Sequence, residues 1–193
     1  MRTTLALIAS VLLITTITEP VDRLGIKGPL LFGNTSFQLA WSDKPNEKYY
    51  VQEYLPKNES LEKFNQMLSV HLFITDTSPK LAVQQKIKWL DKRKKTDPVC
   101  NYSLIESPDG KEFILDFIVG QSELDKMTTV EFNVYRYAKL NLNGKEAISV
   151  YSYSKRSYGD SIAPFLTELG KDKNIYLNQM ISAKSDAIVI NNN

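Results

Sequence analysis

Apolar and polar positions alternate with a period of two over several stretches of the chain, which predicts strands. The predicted strands are two short pieces around a turn at Gly33 and Asn34, then residues 49–55, 69–74, 101–106, 112–119 and 130–140. Asn143 and Gly144 give a two-residue hairpin signal, so a further strand is predicted after them. Strands that follow one another through hairpins are typical of an antiparallel sheet.

Apolar residues recur at helical spacing in about three segments, which predict helices. The first segment follows Pro56, has Asn58 as its N-cap and carries an apolar stripe from Leu61 to Leu68. Pro56 cannot donate to a sheet ladder, so it ends the preceding strand. This part of the chain is therefore predicted to be a strand that turns into a short helix.

Two longer helices are predicted further along the chain. Ser78 is an N-cap for a helix over 79–94, whose first residue is a proline. Residues 160–161 cap the last helix, which Gly170 is expected to break before a second helical stretch to about Ala183. The full pattern predicts the fold class α+β, with a single antiparallel β-sheet and about three helices packed on it.

The first 19 residues predict a signal peptide. Arg2 precedes an uncharged apolar run from Leu5 to Ile17, which is the order of a secretory n-region and h-region. The run is shorter than the roughly 20 residues that a membrane-spanning helix needs. No A-x-A cleavage site follows it, so an uncleaved anchor is the alternative. Residues 20–190 are then expected to form one domain, in the periplasm or outside the cell.

Composition and charge narrow the classes of function. With 193 residues, of which 42% are hydrophobic, the chain can bury one substantial core. The formal net charge is only +2, which gives no reason to expect a nucleic acid as partner. His71 and Cys100 are the only residues of their kinds, and neither has ligand or nucleophile spacing to a neighbour. We therefore expect no metal, no cofactor and no catalytic residue.

The hairpin at residues 143–144 predicts which side chains share a face of the sheet. With those residues as the turn centre, Asn133 pairs with Ser154 and Glu131 pairs with Arg156. Phe113, Leu115 and Phe117 of the preceding strand are expected to join Phe132 and Val134 on the apolar face. The opposite, polar face is then a candidate ligand-binding site formed by Asp116, Asn133, Tyr135, Tyr137, Ser154 and Arg156.

Asp116 is the most informative residue of that candidate site. The segment FILDFIV would be apolar on both sides without it, and a carboxylate there needs partners or water. One interpretation is a strand with one solvated face. The other is a concave site, with tyrosine rings for stacking and with Asp116 and Arg156 for hydrogen bonds. A slip of one residue in the register would exchange the two faces.

The run KIKWLDKRKK, over residues 86–95, is the most prominent charge feature. Such a run is usually the solvated side of an amphipathic helix, because cations late in a helix favour its dipole. The alternative is a weak contact with an anionic membrane surface, with Trp89 at the boundary.

Three stretches carry a resemblance to known families: QEYLPKNESLEKFNQMLS, KTDP and YSYSKRSYGDSIAPFL. Together they resemble uncharacterised small secreted or periplasmic proteins of Bacteroidetes-type bacteria. A strand that ends in EYLP is also distantly similar to the α/β/α sandwich of the photosystem extrinsic proteins. Neither resemblance implies catalytic residues.

These features predict an exported, non-enzymatic binding or accessory domain whose partner is a small molecule or a protein. One alternative is an enzyme built around Asp116 and the neighbouring tyrosines. The other is a protein that associates with the cell envelope through the basic helix at 86–95.

Overall fold

A computed structural model describes residues 19–184 and 187–191. The strands are β1 (Leu30–Phe32), β2 (Thr35–Asn46), β3 (Tyr49–Pro56), β4 (Gln66–Ile74), β5 (Asn101–Glu106), β6 (Glu112–Glu123), β7 (Lys126–Leu142) and β8 (Lys145–Tyr158). The helices are α1 (Pro79–Arg93) and α2 (Ile162–Ser182), with a single 3-10 turn (Gly159–Ser161) before α2. The predicted signal peptide lies, except for Glu19, outside the described residues.

The eight strands form one curled antiparallel sheet in the order β1-β2-β3-β4-β8-β7-β6-β5. Strands β1 to β4 form one half of the sheet in chain order, and α1 follows them. The other half begins at its outer edge with β5 and continues inward through β6 and β7 to β8. Strand β8 closes the gap by pairing with β4. The predicted fold class, a sheet with about three helices packed on it, is therefore wrong. In the described residues the protein is mostly a curled sheet with two helices.

The predicted helix after Asn58 does not form. Asn58 has a φ of 72°, in the left-handed region, whereas a helix N-cap is normally extended. The carboxylate of Glu59 instead accepts hydrogen bonds from the backbone N–H groups of Asn65 and Gln66, at 2.6 and 3.0 Å. Those bonds hold a compact loop that leads directly into β4. Its Phe64 side chain is buried, so the apolar pattern reflects packing of a loop.

Helix α1 begins as predicted, because the Ser78 hydroxyl accepts the backbone N–H of Leu81 at 3.2 Å. Helix α2 differs from the prediction, since it continues without a break through Gly170 to Ser182. No helix in the described part of the chain is both long enough and apolar enough to cross a membrane.

The two helices lie on opposite faces of the sheet, which we call the α1 face and the α2 face. The core of the α2 face includes Phe132, Val134 and Tyr153 of the sheet, with Phe165 and Met180 of α2. The core of the α1 face comprises Val83, Leu90, Cys100, Phe113, Leu115, Phe117, Tyr137, Ile148 and Val150. Strand β6 is therefore apolar on both sides.

The register of the hairpin β7–β8 is the predicted one, with Asn133 opposite Ser154. The register between β6 and β7 differs by one residue, because Asp116 lies opposite Val134 and Phe117 lies opposite Asn133. Phe113, Leu115 and Phe117 therefore share the α1 face with the tyrosines. The prediction failed because helices cover both faces of β6, so its apolar residues do not distinguish one face from the other.

Candidate functional site: an aromatic cavity beside α1

A cavity of about 690 Å³ opens on the α1 face, between α1 and strands β3, β4, β7 and β8. Five aromatic side chains dominate its wall: Tyr49, Phe73, Trp89, Tyr135 and Tyr137. We call it the aromatic cavity. Its volume lies within the range of about 300–1,000 Å³ that is typical of small-molecule sites.

The pairing of β3 with β4 builds one wall of the aromatic cavity. Tyr49 lies directly opposite Phe73, and their rings stack with centroids 4.6 Å apart and planes 3° from parallel. His71 is two residues before Phe73, so it points to the same face. Its ring lies beside that pair and nearly parallel to it, with its centroid 6.1 Å from that of Tyr49 and 6.4 Å from that of Phe73. The wall is thus a ladder of three nearly parallel rings.

Burial keeps the ladder uncharged at neutral pH. The pKa of His71 is lowered to about 4, first by burial and then by the positive charge of Lys86. The Tyr49 hydroxyl and His71 Nδ1 share a hydrogen bond of 2.9 Å, and burial raises the pKa of Tyr49. Burial also raises the pKa of Tyr135 and of Tyr137. These four groups therefore offer neutral hydrogen-bonding atoms to the cavity.

Lys86 of α1 supplies a cation on the opposite side. Its Nζ lies over the rings of Trp89, Phe117 and Tyr135, at 4.2, 4.7 and 5.5 Å from their centroids. No carboxylate in the described part of the chain lies within ion-pair distance of it. Burial lowers the pKa of Lys86, and this is the expected direction for an ammonium withdrawn from water.

The charge of the lining is one-sided. Two lysines, Lys48 and Lys86, are among the residues that line the aromatic cavity, and none of the lining residues is an aspartate or a glutamate. Lys86 is half-buried against aromatic rings, so water screens its charge less than that of an exposed lysine. The cavity therefore favours a ligand with an anionic group over one with a cationic group.

The predicted site residues are divided between two faces of the sheet. Tyr135 and Tyr137 line the aromatic cavity. Asn133 and Ser154 lie on the same face but are buried in the sheet, where the Ser154 hydroxyl donates to Asn133 Oδ1 at 2.7 Å. Arg156 also lies on this face, but its guanidinium already forms an ion pair with Glu131.

Asp116 is the exception, and its predicted grouping with the tyrosines is wrong. Its side chain lies on the α2 face, where Oδ1 forms an ion pair with Lys173 Nζ at 2.5 Å. The sheet therefore separates Asp116 from Tyr135. The composite polar site proposed from the sequence does not form, because it depended on the incorrect register of β6.

The sequence reasoning missed most of the residues that form the cavity. The residues in question are Tyr49, His71, Phe73, Lys86 and Trp89. A signal was present for the first three, since a direct hairpin between β3 and β4 would place them on one face. Lys86 and Trp89 are three residues apart on α1, which is the spacing of neighbours on a helix surface. Their inward orientation depends on packing that the sequence pattern does not specify.

The fold and the cavity define a class of protein, a small curled-sheet domain with an aromatic cavity between one helix and the sheet. A family model matches residues 24–185, and the chain belongs to that uncharacterised family. The matched region contains the whole sheet and the aromatic cavity. No curated protein matches the sequence. The Bacteroidetes-type origin and the likeness to photosystem extrinsic proteins are not tested by the family match and stay predictions.

Proposed function

We propose that this protein is an exported, non-enzymatic binding domain for a small aromatic carboxylate, which occupies the aromatic cavity. A single observation carries the proposal: the half-buried ammonium group of Lys86 lies over three aromatic rings and has no carboxylate within ion-pair distance in the described residues. A ligand carboxylate would complete that ion pair.

The rings of the cavity suit a flat ligand. Tyr49, His71 and Phe73 present nearly parallel ring faces, and Trp89 lies on the helix side of the same space. Offset or edge-on contacts between aromatic groups each contribute about 0.5–1.5 kcal/mol beyond the area that they bury. A planar aromatic body inserted between α1 and the ladder would make such contacts on both sides.

The polar atoms of the cavity suit one acidic group. Lys86 would pair with the carboxylate, and the neutral Tyr49 and His71 would offer hydrogen bonds without adding a competing charge. A hydrogen-bonded ion pair is strengthened where water is partly excluded, and the rings of Trp89, Phe117 and Tyr135 cover part of the Lys86 ammonium group. An uncharged analogue of the same shape would keep the stacking and lose the ion pair.

The geometry does not favour the predicted enzyme alternative. That alternative requires Asp116 to act together with the neighbouring tyrosines, whereas Asp116 and Tyr135 lie on opposite faces of the sheet.

Export and a Bacteroidetes-type source belong to the same proposal. They rest on the leader pattern in residues 1–19 and on the sequence resemblance, and the photosystem-type likeness rests on the EYLP segment. Expression of the full chain in a Gram-negative bacterium, followed by cell fractionation, tests export. The proposal expects a periplasmic protein, and retention of the whole chain in the cytoplasm would contradict this part of it.

The basic helix supports a second candidate, a weak contact with an anionic surface. Lys86 and Arg93 point inward, while Lys88, Lys92 and Lys95 are exposed beside the 43% exposed Trp89. The triple substitution of those three lysines by serine should abolish co-sedimentation with phosphatidylglycerol vesicles. Sedimentation that survives the substitution would exclude this candidate.

A pair of matched ligands tests the leading proposal. Calorimetric titration with 2-naphthoate should show saturable binding, and 2-naphthamide should bind about tenfold more weakly, since an ion pair in such a site contributes about 1.5 kcal/mol. Lys86→Met should remove the preference for the carboxylate. Lys88→Met, a change at an exposed position, should preserve it. Equal affinity for the two compounds, or no binding of either, would overturn the proposal.

A further inference from the structure

A second cavity, of about 380 Å³, lies on the α2 face, between α2 and the edge strand β5. Asp116, Ile118 and Phe132 form its floor. The α2 side is formed by Leu166, Leu169, Gly170 and Lys173, and the β5 side by Asn101, Tyr102 and Ser103. We call it the α2 cavity. It shares no lining residue with the aromatic cavity.

One oxygen of a buried carboxylate lacks a partner in the α2 cavity. Asp116 is only 2% exposed, and its Oδ1 is paired with Lys173. Its Oδ2 is buried and has no hydrogen-bond partner among the described residues. Leaving a buried acceptor unsatisfied costs about 1–3 kcal/mol, and more when the acceptor is charged. The unsatisfied acceptor thus belongs to a residue that lines the α2 cavity.

The charges of the α2 cavity favour a neutral donor. Lys173 balances the charge of Asp116, and its Nζ also donates to the Ser103 hydroxyl at 3.0 Å. An ammonium ligand at Oδ2 would lie close to the Lys173 ammonium, and an anionic ligand would face the carboxylate. A hydroxyl group avoids both conflicts, because it donates one hydrogen bond without adding charge.

The rest of the α2 cavity is suited to an apolar body. Five of its lining residues have apolar side chains: Val99, Ile118, Phe132, Leu166 and Leu169. Gly170 lies in the interior of α2, and a Cβ added to it would meet no heavy atom within 4 Å. Glycine at such a position costs the helix about 0.5–1 kcal/mol relative to alanine.

We propose that the α2 cavity is a second binding site, for a small neutral molecule with an apolar body and one hydroxyl group. The hydroxyl donates to Asp116 Oδ2, and the body packs against Leu166, Leu169 and Phe132. This site does not depend on the proposed function of the aromatic cavity, since the two lie on opposite faces of the sheet.

Two probes of nearly equal shape test the proposal, 4-butylphenol, which has the donor, and 4-butylanisole, which lacks it. Titration of the labelled protein, followed by amide chemical shifts, should show saturable shifts at Ser103 and Gly170. The phenol should bind about fivefold more tightly than the anisole, as expected for one hydrogen bond of about 1 kcal/mol. Gly170 is one of the lining residues, so Gly170→Leu is expected to obstruct the cavity and abolish the shifts. Thr167→Leu, at an exposed position of α2, should retain them.

A second variant examines the acceptor itself. Asp116→Asn keeps an oxygen for Lys173 and places an N–H donor where Oδ2 lies. Both probes can accept from that donor through their oxygen atom, so the preference for the phenol should fall to less than about twofold. Equal affinity of the two probes for the natural protein would overturn the proposal. So would saturable shifts confined to residues of the aromatic cavity, or no saturable shift at all.

Discussion

At the scale of single residues, His71 makes the stability of the fold depend on pH. Its pKa is lowered to about 4 in the folded protein, mainly by burial, whereas the unfolded value is about 6.5. The unfolded chain therefore takes up a proton at His71 more readily than the folded protein does. The resulting contribution to the free energy of unfolding is complete above about pH 6.5 and is lost as the pH falls towards 4.

Replacement of His71 by glutamine isolates this effect. Between pH 7.5 and pH 5 the natural protein should lose about 2 kcal/mol more free energy of unfolding than His71→Gln, because only the natural chain gains a proton at this position on unfolding. Urea unfolding of both proteins at the two pH values measures the difference. Other titrating groups are common to both proteins and cancel. An equal loss in the two proteins would show that His71 is not held neutral.

Asp116 and Asn133 show which residue positions the sequence could predict. Asn133 was placed correctly, because the turn residues Asn143 and Gly144 fix the register of β7 and β8. Asp116 was not, because an irregularity at Gln121 and Ser122 shifts the pairing of β6 with β7 by one residue, and β6 is apolar on both faces. In a strand buried on both sides, hydrophobicity does not determine the register, and a single polar residue is no reliable guide.

At the scale of elements, α1 is joined to the sheet by a network of polar contacts around Asp97. Arg93 Nε forms an ion pair with Asp97 Oδ2 at 2.8 Å, and the backbone N–H of Gly120 donates to the same oxygen at 2.8 Å. The Arg93 guanidinium also donates to the Gly120 carbonyl. Asp97 is 7% exposed, so the carboxylate depends on these partners.

Arg93→Met should therefore lower the free energy of unfolding by about 2–3 kcal/mol, because it leaves a buried carboxylate short of a charged partner. Lys92→Met changes an exposed neighbour on the same helix and should alter stability by less than about 0.5 kcal/mol. Urea unfolding of the two variants beside the natural protein gives the comparison. A similar small effect for both would mean that this network contributes little to the docking of α1.

A substitution in helix α2 should raise the free energy of unfolding rather than lower it. Gly170 lies in the interior of the helix with open space where a Cβ would be. Gly170→Ala should raise the free energy of unfolding by about 0.5–1 kcal/mol, because alanine restricts the unfolded chain and favours the helix. Thermal unfolding detects the change as a higher midpoint. A lower midpoint would indicate that a side chain at this position collides with the sheet or with β5.

Most strands and two helices could be predicted, because their signals are local. Alternation marked β5 to its exact ends, and Ser78 with Pro79 marked the start of α1. The same rules gave a wrong prediction for the segment after Asn58, where no helix forms. Four apolar residues at helical spacing support no more than two turns, which are marginal without further packing. Glu59 stabilises the competing loop by accepting two backbone N–H groups.

At the scale of the whole molecule, the curled sheet separates two cavities of different chemistry. The helices pack on opposite faces, so each one forms a cavity with the part of the sheet that it leaves uncovered. The sequence could not predict either cavity, because each depends on how far a helix reaches across the sheet. The central position of β8 between β4 and β7 is likewise not revealed by any local pattern.

The central claim is that an aromatic carboxylate binds beside Trp89, and tryptophan fluorescence tests it directly. The chain has two tryptophans, Trp41 and Trp89, and only Trp89 is among the residues that line the aromatic cavity. In the variant Trp41→Phe, titration with 2-naphthoate should change the emission of Trp89 to saturation. The further substitution Lys86→Met should weaken that titration about tenfold. An emission that does not change, or one that changes equally with Lys86 present or absent, would contradict the account.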